Sequence, residues 1–213
     1  GAFLVLAASG SAPAQDAPAV TLAKNTTGTP AKRAAAMLAQ MTQAEKLSLL
    51  EGYFGTDFAR SKFTAPPAAR EGSAGYVPGI DRLGIPPQWQ TDAGLGVASQ
   101  GGAKQKRAAT ALPSGPATAA TFDPALAYAG GRMIGGEARG FGFNGMLGGA
   151  VNLLREPRNG RNFEYAGEDP LLAGTIVGAE IAGVQSNHVI DTIKHYALND
   201  QETDRGTGNF IID

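Results

Sequence analysis

No cysteine occurs in the 213 residues, which excludes a disulfide framework, a thiol nucleophile and a Cys-type zinc site, and leaves the redox compartment open. Histidine is scarce as well. With only His188 and His195 present, a metal centre would have to rest on carboxylates, and no spacing of them supports one, so no metal and no cofactor is expected. An excess of either charge is also missing. Lys and Arg number 18 against 19 Asp and Glu, a net charge of -1, which gives no electrostatic case for nucleic acid or an anionic membrane as partner. The apolar stretch at 2–8 is too short to span a bilayer. Tryptophan occurs once, as Trp89. What remains is ordinary globular composition, 43% hydrophobic, in a chain long enough for a real core.

The first residues, Ala2-Phe3-Leu4-Val5-Leu6-Ala7-Ala8, are followed by small residues and an Ala12-Pro13-Ala14 cleavage pattern. This reads as the back part of a secretory signal over 1–14, and implies export to a periplasm or outside the cell. Residues 15–30, rich in Ala, Thr, Pro and Gly, read as a linker. Residues 31–213 read as one domain that stops in mid-pattern at its end.

Within it, helical periodicity covers 31–40, and Thr42 with Glu45 three residues on forms a capping box for a second helix stopped by Gly52. The pair reads as packing, without functional content. A long irregular segment, 53–80, follows. From Ile85 short β-prone runs alternate with helices. Strands are expected at 85–92, 109–112, 146–154 and 189–198, and helices open at Asp123-Pro124 and Asp169-Pro170, each an N-cap followed by Pro at the first helical position. Strand, loop, helix, strand in this order predicts βα units around a parallel sheet.

The polar residues then fall into a pattern. Asp92 ends the first strand, the charged loop from Arg155 to Glu168 follows the third, and Lys194-His195 lies late in the fourth, ahead of Arg205. All are at carboxyl ends of strands, the side on which α/β proteins carry their sites. Taken singly, each has an ordinary structural reading: Asp92 as a cap, Lys194 as a snorkelling side chain, His195 as a core histidine, Arg161 and Glu164 as a surface ion pair. Together they suit a sugar, whose hydroxyls want a carboxylate acceptor and several cationic donors, and whose apolar face wants an aromatic such as Trp89. A phosphate site is disfavoured, because no Gly-rich turn opens one of these helices and Asp92 would repel the anion.

These residues carry a resemblance to the glycoside hydrolase family 3 enzymes of the β-glucosidase type. It runs from about Ala34 to Arg205, through Met41-Thr42-Gln43-Ala44-Glu45-Lys46, Thr91-Asp92-Ala93-Gly94-Leu95-Gly96 and Ala111-Leu112-Pro113. Its specific part is Gly160-Arg161-Asn162-Phe163-Glu164 with Gly167-Glu168-Asp169-Pro170, then Lys194-His195-Tyr196 and Asn199-Asp200-Gln201-Glu202-Thr203-Asp204-Arg205. The resemblance implies the N-terminal portion of a (β/α)8 TIM-type barrel, truncated, from a retaining exo-acting enzyme that releases terminal β-D-glucose from oligosaccharides. It assigns Asp92, Arg161, Lys194, His195 and Arg205 to the subsite that holds the sugar. The nucleophile and the acid/base are expected beyond Asp213, which would leave this chain inactive by itself. Two positions depart from the family pattern: Asp-Gly-Pro reads Asp92-Ala93-Gly94, and Ala98 stands where an arginine is common. A β-xylosidase or exo-β-glucanase would share most of these residues, and a non-catalytic carbohydrate-binding barrel is the alternative of another class.

Overall fold

The computed structural model describes residues 27–55, 64–70, 72–99, 107–196, 199–209 and 211. The signal-like stretch at 1–14 and most of the linker at 15–30 lie outside them. Contacts divide the chain into two compact units, one made of the residues up to Leu50 with Pro78–Pro87, the other of Glu51–Val77 with Gln88–Asp213. Among the described residues no helix is long and apolar enough to cross a membrane.

The first unit holds α1 (Pro30–Leu38) and α2 (Gln43–Ser48). Thr29 caps α1, its hydroxyl accepting from Lys32 N–H at 3.3 Å. The capping box of α2 forms in both directions, Glu45 N–H to Thr42 Oγ1 at 3.2 Å and Thr42 N–H to Glu45 Oε2 at 2.8 Å. The helix ends at Ser48, short of the expected Gly52. Glu45 also accepts a two-pronged contact from Arg82 at 2.7 and 2.6 Å, which holds its carboxyl down at about 2. Ile80 and Leu83 form the core here, with Met37, Met41, Leu49 and Ile85 packed on them.

The second unit is built on a four-stranded mixed sheet in the order β1 (Gly75–Val77), β2 (Gln88–Asp92), β3 (Gly145–Leu147), β4 (Ile190–Asp191). β1 runs antiparallel to β2, with Tyr76 opposite Trp89. β2, β3 and β4 are parallel, in a register that sets Asp92 opposite Leu147 and Met146 opposite Asp191. The strands are shorter than the sequence predicts. Glycines interrupt the ladder after β3, at Gly148 and Gly149, and pairing resumes from Lys194 N–H to the Gly149 carbonyl at 2.9 Å and Val151 N–H to the Lys194 carbonyl at 2.7 Å. The strand expected at 109–112 does not form. Leu112 N–H donates to the Leu95 carbonyl at 2.7 Å, and Thr110 gives its N–H and hydroxyl to the Glu137 carboxylate, so these backbone groups are used outside any ladder. Conversely β1 emerges from the segment expected to be irregular.

The short α3 (Gly115–Ala119) packs against residues 162–165, and two longer helices, α4 (Pro124–Gly140) and α5 (Pro170–Gln185), cover one face of the sheet. The two long ones start where the Asp-Pro pairs predict. Asp123 Oδ1 accepts from Ala125 and Leu126 N–H at 2.9 and 3.2 Å, and Asp169 Oδ1 from Leu172 N–H at 2.7 Å. They cross at glycines: a Cβ on Gly131 would collide with the Glu180 carbonyl, and one on Gly183 with the Tyr128 carbonyl. Under them Ile134, Phe143, Met146 and Val184 are fully buried in one cluster with Ala93, Val97, Ala138 and Val189, each large side chain contributing about 1.5–3 kcal/mol relative to exposure. Thr91 on β2 is buried on this side and Trp89 packs against the same cluster. Asp92, one residue on, therefore faces the other way.

Candidate functional site

Three stretches that leave the carboxyl ends of the parallel strands meet on that other face. Asp92 is the last residue of β2, and the chain folds back beyond it so that Ala98 N–H donates to the Asp92 carbonyl at 2.9 Å. The stretch after β3 ends in a single 3₁₀ turn, Asn162–Glu164, anchored by the Asn162 amide on the Glu156 carbonyl at 2.9 Å. The stretch after β4 brings in Lys194 through its ladder bond to Gly149. Asp92, Arg161, Phe163, Glu164 and Lys194, with Ala93, Gly94, Leu95, Gly96 and Ala98, line a concavity of ≈ 360 Å³, the size of a small-molecule site.

Glu164 ties this wall together. Buried at 9% exposure, its carboxylate accepts from Arg161 Nε and lies 3.3 Å from Lys194 Nζ. Burial alone would push that carboxyl up, but the hydrogen bond from Arg161 and the charges of Lys194 and Arg161 outweigh it and hold it below the usual carboxylate range. Glu164 is thus an ionised strut between two cations, not an acid. Arg161 reaches on to Glu202 at 3.6 Å, and Glu202 pairs with Arg205 at 3.2 Å. Arg205 thereby joins the cluster at its exposed rim.

His195 follows Lys194 across a cis peptide bond. Its main-chain N–H and its Nδ1 both contact Asn152 Oδ1, at 2.8 and 2.9 Å. The fully buried Tyr165 stands edge-on to the ring at 6.1 Å between centroids. Its hydroxyl donates to the Asn199 carbonyl at 3.2 Å and accepts from the Asn199 amide at 2.8 Å. Burial pushes the His195 pKa down, and the charges of Arg161 and Lys194 push it further.

Of the five residues singled out in the sequence, Asp92, Arg161 and Lys194 share the wall, Arg205 is linked to it through Glu202, and His195 adjoins it through Lys194 without lining it. Trp89 is a correction. Three positions from Asp92 on a strand of period two, it points to the helices, stacks under Arg70 at 4.5 Å and gives its indole N–H to the Ala68 carbonyl at 2.8 Å. The aromatic at the rim is instead Phe163, 53% exposed. The reading of Arg161 and Glu164 as a surface pair also fails, since Glu164 is buried and shared with Lys194. Glu164, Phe163, Asn152 and Tyr165 were not among the expected site residues. The Gly-Arg-Asn-Phe-Glu block signals the first two, but nothing local to Asn152 signals its partner. Among the described residues no group of three His, Cys, Asp or Glu could hold a metal ion. A second cavity of ≈ 340 Å³ is walled chiefly by apolar side chains, Leu112, Leu126, Met133, Ile176 and Val177, with Thr118, Thr121, Glu164 and Glu180 among its polar members.

This arrangement of one strand-end carboxylate, fixed cationic donors and a rim aromatic can hold a polyhydroxylated ligand. Residues 77–213 match the model of the glycosyl hydrolase family 3 N terminal domain. A β-glucosidase of Bacteroides ovatus, BoGH3A, is 40% identical over 176 residues, covering 79% of this chain and 21% of that protein. A β-glucosidase of Ruminococcus albus is 39% identical over 151 residues, 71% of this chain and 15% of its own length. Among solved structures, β-glucosidase 3B of Thermotoga neapolitana in complex with α-D-glucose superposes with a TM-score of 0.66 at 32% identity, over 78% of this chain and 23% of that one. DesR, a β-glucosidase of Streptomyces venezuelae in complex with D-glucose, gives 0.67 at 35%, over 81% and 20%. The chain thus spans about a fifth of the length of the relatives it matches.

Proposed function

The chain belongs to glycosyl hydrolase family 3, and we propose that it forms the sugar-holding subsite of a β-glucosidase-type enzyme that removes terminal β-D-glucose from oligosaccharides with retention. The observation that carries this is the meeting of Asp92, Arg161 and Lys194 around a concavity of ≈ 360 Å³ with Phe163 at its rim. On this reading Asp92 accepts from sugar hydroxyls, the cations donate to sugar oxygens, and Phe163 covers an apolar ring face. The mixed sheet is then the opening part of a (β/α)8 barrel, with the site at the carboxyl ends of its strands. The stretch 1–14, on the same reading, directs export to a periplasm or outside the cell.

Retention needs a carboxylate nucleophile and a second carboxyl as acid/base about 5–5.5 Å from it. Glu164 is committed to Arg161 and Lys194, so it serves neither role. The reacting pair is instead supplied by sequence of the kind that makes up the remaining length of the relatives. The test is kinetic. In a protein of the relatives' length carrying this chain, Asp92→Ala should lower kcat/KM on a chromogenic β-glucoside by about 10²–10⁴-fold, since a carboxylate holding two hydroxyls makes charge-assisted bonds of about 1.5–3 kcal/mol each. The 213 residues alone should show no turnover. A near-unchanged Asp92→Ala variant, or hydrolysis by the 213 residues alone, would overturn the assignment.

A further inference from the structure

We propose that Asn152 is a positioning residue that holds His195 as its Nδ1–H tautomer, so that His195, which stands beside the concavity next to Lys194, offers its Nε2 lone pair as an acceptor to a ligand hydroxyl that reaches past Lys194.

Main-chain geometry carries the first step. The His195 main-chain N–H can only donate, and it meets the side-chain amide of Asn152 at 2.8 Å. The amide atom there must be the oxygen, because the NH₂ group would set donor against donor. That same oxygen lies 2.9 Å from His195 Nδ1. A carbonyl oxygen only accepts, so Nδ1 carries a proton. Neither remaining neighbour competes for it. The Tyr165 hydroxyl is 3.4 Å from Nδ1 and spends its proton on the Asn199 carbonyl. The Asn199 amide nitrogen is nearly equidistant from the two ring nitrogens, at 3.3 and 3.4 Å, off the lone-pair direction of both.

A ring protonated at Nδ1 is either imidazolium or the neutral form with a bare Nε2. Burial lowers the pKa of the ring, as do the charges of Arg161, Lys194 and Arg205, whereas the Glu164 carboxylate raises it. Charging the ring is opposed first by burial and then by the nearby Arg161 and Lys194, so its pKa is shifted down. The neutral form follows. This matters because Arg161, Lys194 and Arg205 are donors only. A hydroxyl-bearing ligand has protons of its own to place, and acceptors beside Asp92 are scarce. Asn152, buried at 9% exposure in the stretch after β3, makes an acceptor of a side chain that would otherwise be a further donor. That the hydroxyl belongs to a sugar rests on the function proposed above; the tautomer does not.

Nitrogen-15 NMR of the histidine-labelled 213-residue chain reads both parts. His188 and His195 are the only histidines, and His188→Asn removes one set of signals at a left-handed position (φ 58°) that Asn tolerates. At pH 7 the wild-type His195 should show a protonated, pyrrole-type Nδ1 and a bare, pyridine-type Nε2. Asn152→Asp, which sets a carboxylate beside Nδ1, should give signals of the imidazolium at the same pH. An Nε2–H tautomer, or an imidazolium, in the wild type would overturn the proposal without reference to any sugar. Titration with glucose should then move Nε2 upfield and leave Nδ1 in place. Glucose that shifts the Phe163 and Arg161 signals but not Nε2 overturns the acceptor role, whereas glucose that shifts none of them counts against the sugar site itself.

Discussion

Glu180→Gln should change how the stability of this protein depends on pH, and in a direction opposite to that of an ordinary surface carboxylate. Glu180 lies on α5 at the Gly131 crossing and faces Asp191 on β4. Among the described residues its carboxyl receives no hydrogen bond. Burial, and then the negative charge of Asp191, raise it from 4.5 to about 7. Burial likewise raises Asp191, to about 6, against the Gly148 and Thr192 N–H groups at 3.1 and 2.9 Å and the charge of Lys194. Asp191 Oδ2 is buried without a partner. With the folded pKa above the unfolded one, the native state keeps a proton that the unfolded chain releases. The associated stability is complete below about 4.5 and is lost as pH rises through about 7. A rise of about 2.5 pH units corresponds to at most ~3 kcal/mol. Because Asp191 shares in the effect and Glu180 is not wholly shielded, about 2 kcal/mol is expected between pH 5 and 8. Urea unfolding followed by the single Trp89 would measure it. The wild type should weaken by that amount over this range, whereas Glu180→Gln should match it at pH 5, exceed it at pH 8 and lose much of the slope. Parallel pH profiles for the two proteins would refute the reasoning.

Glu164→Gln removes the carboxylate from Lys194 and leaves Arg161 with Glu202 alone in a partly buried wall, and should cost up to about 3–5 kcal/mol in urea unfolding at neutral pH, with Glu164→Asp recovering part of it. Since the Glu164 pKa is depressed in the folded state, its contribution is present above the ordinary carboxylate range and disappears as pH falls through the folded value, so the gap between wild type and Glu164→Gln should close in acid. Arg205→Ala, at a side chain 56% exposed, should cost under about 1 kcal/mol of stability, and a larger loss by the same measurement would mean that the rim pair with Glu202 is structural.

The helices were readable because their signals are local. Asp123-Pro124 and Asp169-Pro170 put cap and first-turn proline side by side, and both helices start there. The strands were readable as places but not as lengths, since Gly148 and Gly149 break the ladder in a run whose hydropathy continues. At 109–112 the β-prone residues are outcompeted by partners far along the chain, the Leu95 carbonyl and the Glu137 carboxylate. The side to which Trp89 points was legible in principle, because three positions on a strand reverse the face. For the site, the convergence of Asp92, Arg161 and Lys194 followed from strand ends alone. What could not be read was pairing across the fold: Glu164 with Lys194, and Asn152 with His195 at a separation of 43 residues. Such contacts depend on the register of β3 against β4, which no local pattern states.

The charge balance of the finished site bears on which ligand it suits. Arg161, Lys194 and Arg205 face Asp92, Glu164 and Glu202, so cations and carboxylates are equal in number. Glu164 sits between Arg161 and Lys194, and Glu202 between Arg161 and Arg205. A phosphate or a carboxylate ligand would find that positive charge already answered, and would meet Asp92 as well. A neutral polyol loses nothing by this arrangement. An arginine bound through one edge keeps N–H groups in a fixed plane, and a lysine bound to one carboxylate keeps protons for other acceptors. Neutralising the cluster thus orients its donors while leaving hydrogen-bonding capacity for hydroxyls, so selectivity comes from matched donors and acceptors and not from net charge. The same balance explains why an uncharged His195 belongs here: as an imidazolium it would tip the cluster towards anions, and as an Nδ1–H imidazole it adds an acceptor without adding charge.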